Sequence, residues 1–467
     1  LISFGIMMRK RTHRLYMERQ KRLEELIAER TEELQHEKDK SDSLLANMLP
    51  RGTAEEIMSK GKADKRKYNF VTVLFSDIQG FTRIAEEMNP ETLIDELDRF
   101  FFHFDSVAEK YRIEKIKTIG DAYMCAGGIP ERNRTNPVEV VLAALEMQKY
   151  MQSMKNDPSR PAARFWDIRI GIHTGTVVAG VVGHKKITYD IWGDTVNTAS
   201  RMESSGEAGK VNISGTTYEF VKEYFTCDYR GRMPVKYKGD LDMYFVTGIR
   251  PDLREADGSP NGRFFTKIEM IRVLDVEEHV FSRYSEIAPP DLFFHSPDYI
   301  RSVSLQADLL ARAEKLSDQE YIHVRLASVF LYFGYAFDYN DSRAAALKRA
   351  GEILSVYGFG PQTLEAVSEL INSASSPEQI SAAGKVLHDS VYDFTGRIDF
   401  IAMIDRLYRE ETAYGKTDDE KTWFRELAEK IEKNGFLTQT ACRLRSVAAD
   451  EQLRALREFA GGKLNNS

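Results

Sequence analysis

The segment Phe75-Ser76-Asp77-Ile78-Gln79-Gly80-Phe81-Thr82 constrains this chain more than any other. The apolar run from Val71 to Phe75 predicts a buried strand. It ends in a carboxylate, passes a glycine and enters a helical pattern. A strand tip of that kind offers a metal ligand beside a helix N-terminus, whose amides favour phosphate. In isolation, an Asp after a strand is equally an ordinary turn former or helix cap.

Three later segments add weight. In Lys115-Ile116-Lys117-Thr118-Ile119-Gly120-Asp121-Ala122-Tyr123-Met124, Gly-Asp between two β-prone runs predicts a hairpin turn. Tyr189 to Glu203 contains Asp190 and then Asn197 and Arg201, which at four residues apart share one helical face. Val235-Lys236-Tyr237-Lys238-Gly239-Asp240 precedes a strand-like Met243-Tyr244-Phe245-Val246.

In this order and spacing, the four segments resemble the class III nucleotide cyclase catalytic domain, over about residues 66–250. The resemblance implies an α+β domain with a ferredoxin-like βαββαβ core. It also implies attack of a ribose 3′-oxygen on the α-phosphorus, with loss of pyrophosphate. Two divalent cations, Mg2+ or Mn2+, suit that chemistry. By resemblance, Asp77 and Asp121 hold both, with the carbonyl of Ile78 as a further ligand. The amides from Gln79 through Gly80, Phe81 and Thr82 would cradle the β- and γ-phosphates. Arg201 would stabilise charge on the α-phosphate, for which a permanently charged fork is suited. Asn197 would orient the ribose or a water, and Lys236 would meet the terminal phosphates. Outside this context, Arg201 and Lys236 are ordinary solvated cations.

Lys117 and Asp190 fall where the family selects its purine. Adenine presents an acceptor at N1 and a donor at N6, which a lysine and an aspartate complement. Guanylate-forming relatives carry Glu and a small Cys or Ser there. A mismatch leaves buried polar groups unpaired. The expected reaction is therefore ATP to 3′,5′-cyclic AMP. The alternatives are a guanylate cyclase or an inactive nucleotide-binding scaffold. In this family the metal aspartates and the base-reading and Asn/Arg residues of one site come from opposite chains. A chain carrying both halves implies a homodimer with two equivalent sites.

The 467 residues are enough for two to three domains. A net charge of −7 argues against a nucleic-acid partner. Cys125, Cys227 and Cys442 are too scattered for a disulfide framework or a zinc cluster and fit a reducing, cytosolic setting. The opening Leu1 to Met8 is apolar, and Arg9-Lys10-Arg11 follows. That pattern looks like the inner end of a transmembrane helix, so residues 1–11 are expected to end a membrane segment. The chain is then expected at the cytosolic face of a membrane, below a sensor. The other reading is a soluble chain with a ragged start.

Residues 12–49 contain neither Gly nor Pro and predict one long helix, within a helical linker spanning 12–65. Tyr16, Leu23, Arg30, Glu37 and Leu44 take one heptad position, and Gln20, Ile27, Leu34, Ser41 and Met48 the other. So polar a seam predicts a weak parallel coiled coil, or a solvated helix docked on its own domain. After the cyclase-like region, residues 251–280 read as a linker because of Pro251 and Asp257 to Gly262. Residues 281–467 read as all-helical. They are weakly similar to the HD-type metal phosphohydrolases in Phe330 to Tyr335 and in Val386 to Asp389. Where that family has its His, His-Asp and Asp ligands, this chain appears as Tyr299, Leu331-Tyr332 and Asp389. One remaining carboxylate implies a helical scaffold without metal chemistry.

Overall fold

The computed structural model describes residues 2–155, 166–183, 187–235, 239–374, 381–417 and 419–460. It divides into two compact units, one within 1–248 and one starting at Ile249, with Asn133–Thr135 grouped with the second.

In the first unit, α1 (Ile2–Met48) runs unbroken through the apolar start and the heptad region. Tyr16, Leu23, Ile27 and Leu34 are all exposed along it, so this stretch is not docked on its own domain. Among the described residues no helix is long and apolar enough to cross a membrane. Pro50 ends α1, and α2 (Arg51–Lys60) closes on Gly61, whose φ of 72° takes the left-handed cap conformation. Leu49 and Ala54 are buried in the core of the sheet domain.

The strands and helices that follow are β1 (Arg66–Ile78), α3 (Phe81–Glu87), α4 (Pro90–Lys110), β2 (Glu114–Ile119), β3 (Ala122–Gly127) and α5 (Asn136–Lys155). After them come β4 (Ile168–Val182), β5 (Thr188–Trp192), α6 (Asp194–Ser204), β6 (Val211–Ser214), α7 (Gly215–Val221), β7 (Phe225–Val235) and β8 (Gly239–Ile249). The sheet order is β2-β3-β1-β4-β6-β8-β7, with β5 paired to β4. The first four strands, each antiparallel to its neighbour, make the expected βαββαβ core.

Central β1 is covered on both faces, which is why its run from Val71 to Phe75 is apolar apart from Thr72. Val71, Val73 and Phe75 share a cluster with Leu49 and Tyr189. On the other face, the Thr72 hydroxyl donates to Asn136 Oδ1 on α5 at 2.6 Å and lies 2.9 Å from Thr174 Oγ1. Thr174, Thr217, Ser214 and His173 extend this chain of hydrogen bonds across the sheet, so these buried polar groups are paired.

The second unit is helical: α8 (Gly262–Ile287), α9 (Pro297–Ala313), α10 (Asp318–Phe333), α11 (Ser342–Val356), α12 (Pro361–Ser373), α13 (Ala382–Val391), α14 (Phe400–Ala413), α15 (Glu420–Asn434) and α16 (Gln439–Ala460). Here the expected linker over 251–280 needs correction, because α8 begins at Gly262. Asn261 caps it, its side chain accepting from Phe264 N at 3.1 Å. The turn-forming cluster was thus the start signal of a helix.

The positions matched to HD ligands serve packing in this unit. The Tyr299 hydroxyl donates to Val391 O at 3.0 Å, and its ring lies 5.5 Å from that of Tyr332. Buried Asp389 accepts from Leu437 N, Thr438 N and the Thr438 hydroxyl, tying down the chain just before α16. His388 Nδ1 lies 3.0 Å from Asp389 Oδ1. A second clamp was not foreseen: buried Glu410 accepts from Phe294 N and His295 N and pairs with the His295 ring.

Candidate active site

The site is assembled where β1 ends. Asp77 and Ile78 are its last residues, and Gln79 N donates to Asp167 O at 2.8 Å. Gly80, with a φ of 74°, turns the chain into α3, a conformation a side chain would strain. The amides of Phe81 and Thr82 fall in the first turn of α3, where no carbonyl lies four residues back within the helix. The β2–β3 hairpin turns at Gly120, φ 63°, and presents Asp121 beside this tip. Burial raises the Asp121 carboxyl above its ordinary value, and the negative charge of Asp77 raises it further. Two carboxylates this close favour a positive charge between them.

In this structure a cation is supplied by the protein itself. Arg169 opens β4 opposite Asp77, and its Nη2 donates to Asp77 Oδ2 at 2.7 Å. The same nitrogen lies 3.0 Å from Glu203 Oε1, on α6. Burial pushes the Glu203 carboxyl up to about 7. Arg169 opposes that rise, while Asp77 and Asp121 add to it. Neither Arg169 nor Glu203 was singled out from the sequence. The available signal was one arginine in an otherwise apolar strand opening, Ile168-Arg169-Ile170, but its partner depends on strand register.

Lys117 and Asp190 meet directly: Lys117 Nζ donates to Asp190 Oδ2 at 2.6 Å. Asp190 Oδ1 accepts from Ile191 N at 2.9 Å, and both side chains remain partly accessible. Asp190 lies within β5, paired with Gly180 of β4, and is not a turn residue.

Asn197 and Arg201 lie on α6 as the spacing predicted, but not on the face that carries Glu203. Thr195, Thr198, Ala199, Met202 and Glu203 are buried against the sheet. Thr195 Oγ1 donates to Thr176 O at 2.7 Å, and a Cβ on Gly171 would lie 1.8 Å from Glu203 N. At about 100° per residue, Asn197 and Arg201 are turned outward from that packing face. Lys236 lies outside the described residues.

Residues 63–248 match the sequence model of the adenylate and guanylate cyclase catalytic domain. The chain carries a class III nucleotide cyclase catalytic domain. Among curated relatives of the cyclase, guanylyl cyclase C of Homo sapiens is 38% identical over 232 residues, covering 49% of this chain and 21% of that protein. Retinal guanylyl cyclase 1 of Rattus norvegicus is 40% identical over 232 residues, covering 48% and 21%. The chain thus spans about a fifth of the length of these relatives. The solved guanylate cyclase domain of RhGC from Catenaria anguillulae in complex with GTP is 35% identical, with a TM-score of 0.37, covering 40% of this chain and 100% of that one. The adenylyl cyclase CyaB from P. aeruginosa is 33% identical, with a TM-score of 0.37, covering 41% and 99%.

Proposed function

We propose that this cyclase converts ATP to 3′,5′-cyclic AMP and pyrophosphate. The observation that carries the choice of base is the Lys117–Asp190 pair. It places a donor and an acceptor side by side, as the N1 acceptor and N6 donor of adenine require. The second reading, cyclic GMP from GTP, is favoured by the curated relatives named above, which are guanylyl cyclases. An inactive nucleotide-binding scaffold is the third. Purified chain given ATP or GTP with Mg2+ or Mn2+ separates them by the cyclic nucleotide formed.

Asp77, Asp121 and the Ile78 carbonyl would hold two Mg2+ or Mn2+ ions. Their oxygen donors suit these hard cations, and the mutual repulsion at Asp121 fits a site built to be neutralised. Such ions, when bound, favour ionisation of the 3′-hydroxyl and neutralise phosphate charge. The amides at Gly80, Phe81 and Thr82 would receive the β- and γ-phosphates. Arg201 would stabilise the α-phosphate, Asn197 would orient the ribose, and Lys236 would bind the terminal phosphates.

A homodimer with shared sites is part of this reading. Its support is the outward turn of Asn197 and Arg201, away from the α6 face that reaches Asp77 through Arg169. Ile119 beside the metal hairpin and Trp192 on β5 are 54% and 38% exposed, as surfaces awaiting a second copy would be. We further place α1 as a weak coiled coil that transmits the state of a membrane-anchored sensor, which its apolar opening and Arg9-Lys10-Arg11 support. The helical unit is proposed as an HD-like scaffold that regulates or supports the dimer.

A further inference from the structure

Asp77 and Arg169 face each other in the β1–β4 register, and the guanidinium is aligned on Asp77 through its 2.7 Å hydrogen bond. Its relation to Glu203 differs. Glu203 Oε1 lies 3.0 Å away as an ion-pair partner but forms no hydrogen bond among the described residues. Arg169 Nε is also buried without a hydrogen-bond partner. Two buried polar atoms, Arg169 Nε and Glu203 Oε1, are therefore left without a hydrogen bond, which native interiors seldom tolerate without a reason.

Glu203 has little room to move away. Gly171 lets α6 rest directly on β4, so the backbone of Glu203 is fixed over the strand that carries Arg169. A divalent cation that engages both carboxylate oxygens of Asp77 needs Oδ2, which now accepts from Arg169. The guanidinium must then leave Asp77, since two positive charges at one carboxylate oxygen repel. A turn toward Glu203 would exchange one aligned hydrogen bond for bonds to atoms that now have none.

We propose that Glu203 is a positioning residue for cation loading, receiving the Arg169 guanidinium when a divalent cation takes Asp77. The proposal rests on the reading of Asp77 and Asp121 as the cation-holding pair. Arg169 is then a resident counter-ion that keeps the two acids compatible before a cation loads, and Glu203 sets how readily it yields. An opposite charge at this distance alters what a carboxylate binds by about tenfold or more, and that is the scale on which Glu203 acts.

The test measures Mn2+ alone binding to the purified chain of residues 1–467, from the electron paramagnetic resonance signal of free Mn2+, without nucleotide. Asp77→Ala should remove this binding. Glu203→Gln should weaken it about tenfold, because Arg169 is left with Asp77 as its remaining anion. Arg169→Gln should tighten it. In the Arg169→Gln background, Glu203→Gln should change it by less than about twofold, since the two act through one interaction. Thermal melting reports folding separately, and a merely structural role would shift melting without this pattern of affinities. Unaltered affinity in folded Glu203→Gln overturns the proposal. So does the same tenfold loss in the Arg169→Gln background, which would mean that Glu203 acts by its own charge. If Glu203→Gln does not fold, Arg169→Gln decides alone: tighter binding supports the proposal, and unchanged or weaker binding overturns it. Undiminished binding in Asp77→Ala overturns the cation reading itself, and this inference with it.

Discussion

Asn197 and Arg201 stand on the outward face of α6, while Glu203 on the inner face joins Arg169 and Asp77. If each site takes its acids from one chain and its Asn/Arg pair from the other, two inactive chains can repair one another. Asp77→Ala and Arg201→Ala homodimers should each lose about 10²-fold or more in rate. Random assembly of an equimolar mixture gives about half heterodimers. Each heterodimer contains one site with both defects and one with none. The mixture should thus recover about a quarter of wild-type activity, half the dimers with half their sites. Differently tagged chains allow the heterodimer to be isolated, where recovery should reach about half. The readout is cyclic nucleotide separated by chromatography. Activity no higher than that of the parents, with heterodimer present, would refute the outward-face argument and point to a site within one chain.

Exchanging the base readers, Lys117→Glu with Asp190→Cys, should move preference from ATP to GTP. Two mispaired polar groups at about 1–3 kcal/mol each correspond to a change of about thirtyfold to 10⁴-fold in the ratio of kcat/KM values; an unchanged ratio would show that the pair does not read the base. Gly171→Ala should lower stability by about 3 kcal/mol, seen as a fall in Tm, because its Cβ would meet Glu203 N at 1.8 Å; an unchanged Tm would contradict that close approach. In the helical unit, burial pushes Glu410 up, but the hydrogen bond and charge of His295 and the amides of Phe294 and His295 hold it below its ordinary value. A carboxyl lowered on folding contributes stability above its unfolded pKa, about 4.3, and loses that contribution as pH falls through the lower folded value. Hydrogen exchange in α9 and α14 should therefore accelerate below about pH 4, whereas Glu410→Gln should cost about 3 kcal/mol at neutral pH and flatten that acid response.

The frame of the candidate site was legible because Asp77 and Asp121 sit at abrupt changes of chain geometry. Asp77 ends a buried strand before a left-handed glycine, and Asp121 follows another in a hairpin. Such punctuation survives in one dimension. Arg169 and Glu203 did not, because their meeting depends on β1–β4 register and on Gly171 bringing α6 down on the sheet. His295 and Glu410 are separated by 115 positions and nothing local joins them. The start of α8 was misplaced for a different reason. Asp257 to Gly262 is rich in loop formers, but its Asn261 is the helix cap, and the same residue types mark both. Lys117 and Asp190 were legible as a base-reading pair from residue chemistry, but their direct contact at 2.6 Å was not, because it joins positions 73 residues apart on different strands.

The most direct test offers the purified wild-type chain equal ATP and GTP with Mn2+ and identifies the products by mass spectrometry, with Asp77→Ala as the control. Cyclic AMP in large excess over cyclic GMP, with neither formed by Asp77→Ala, is the predicted result. Cyclic GMP as the main product, or no cyclic nucleotide under any metal condition, would contradict it.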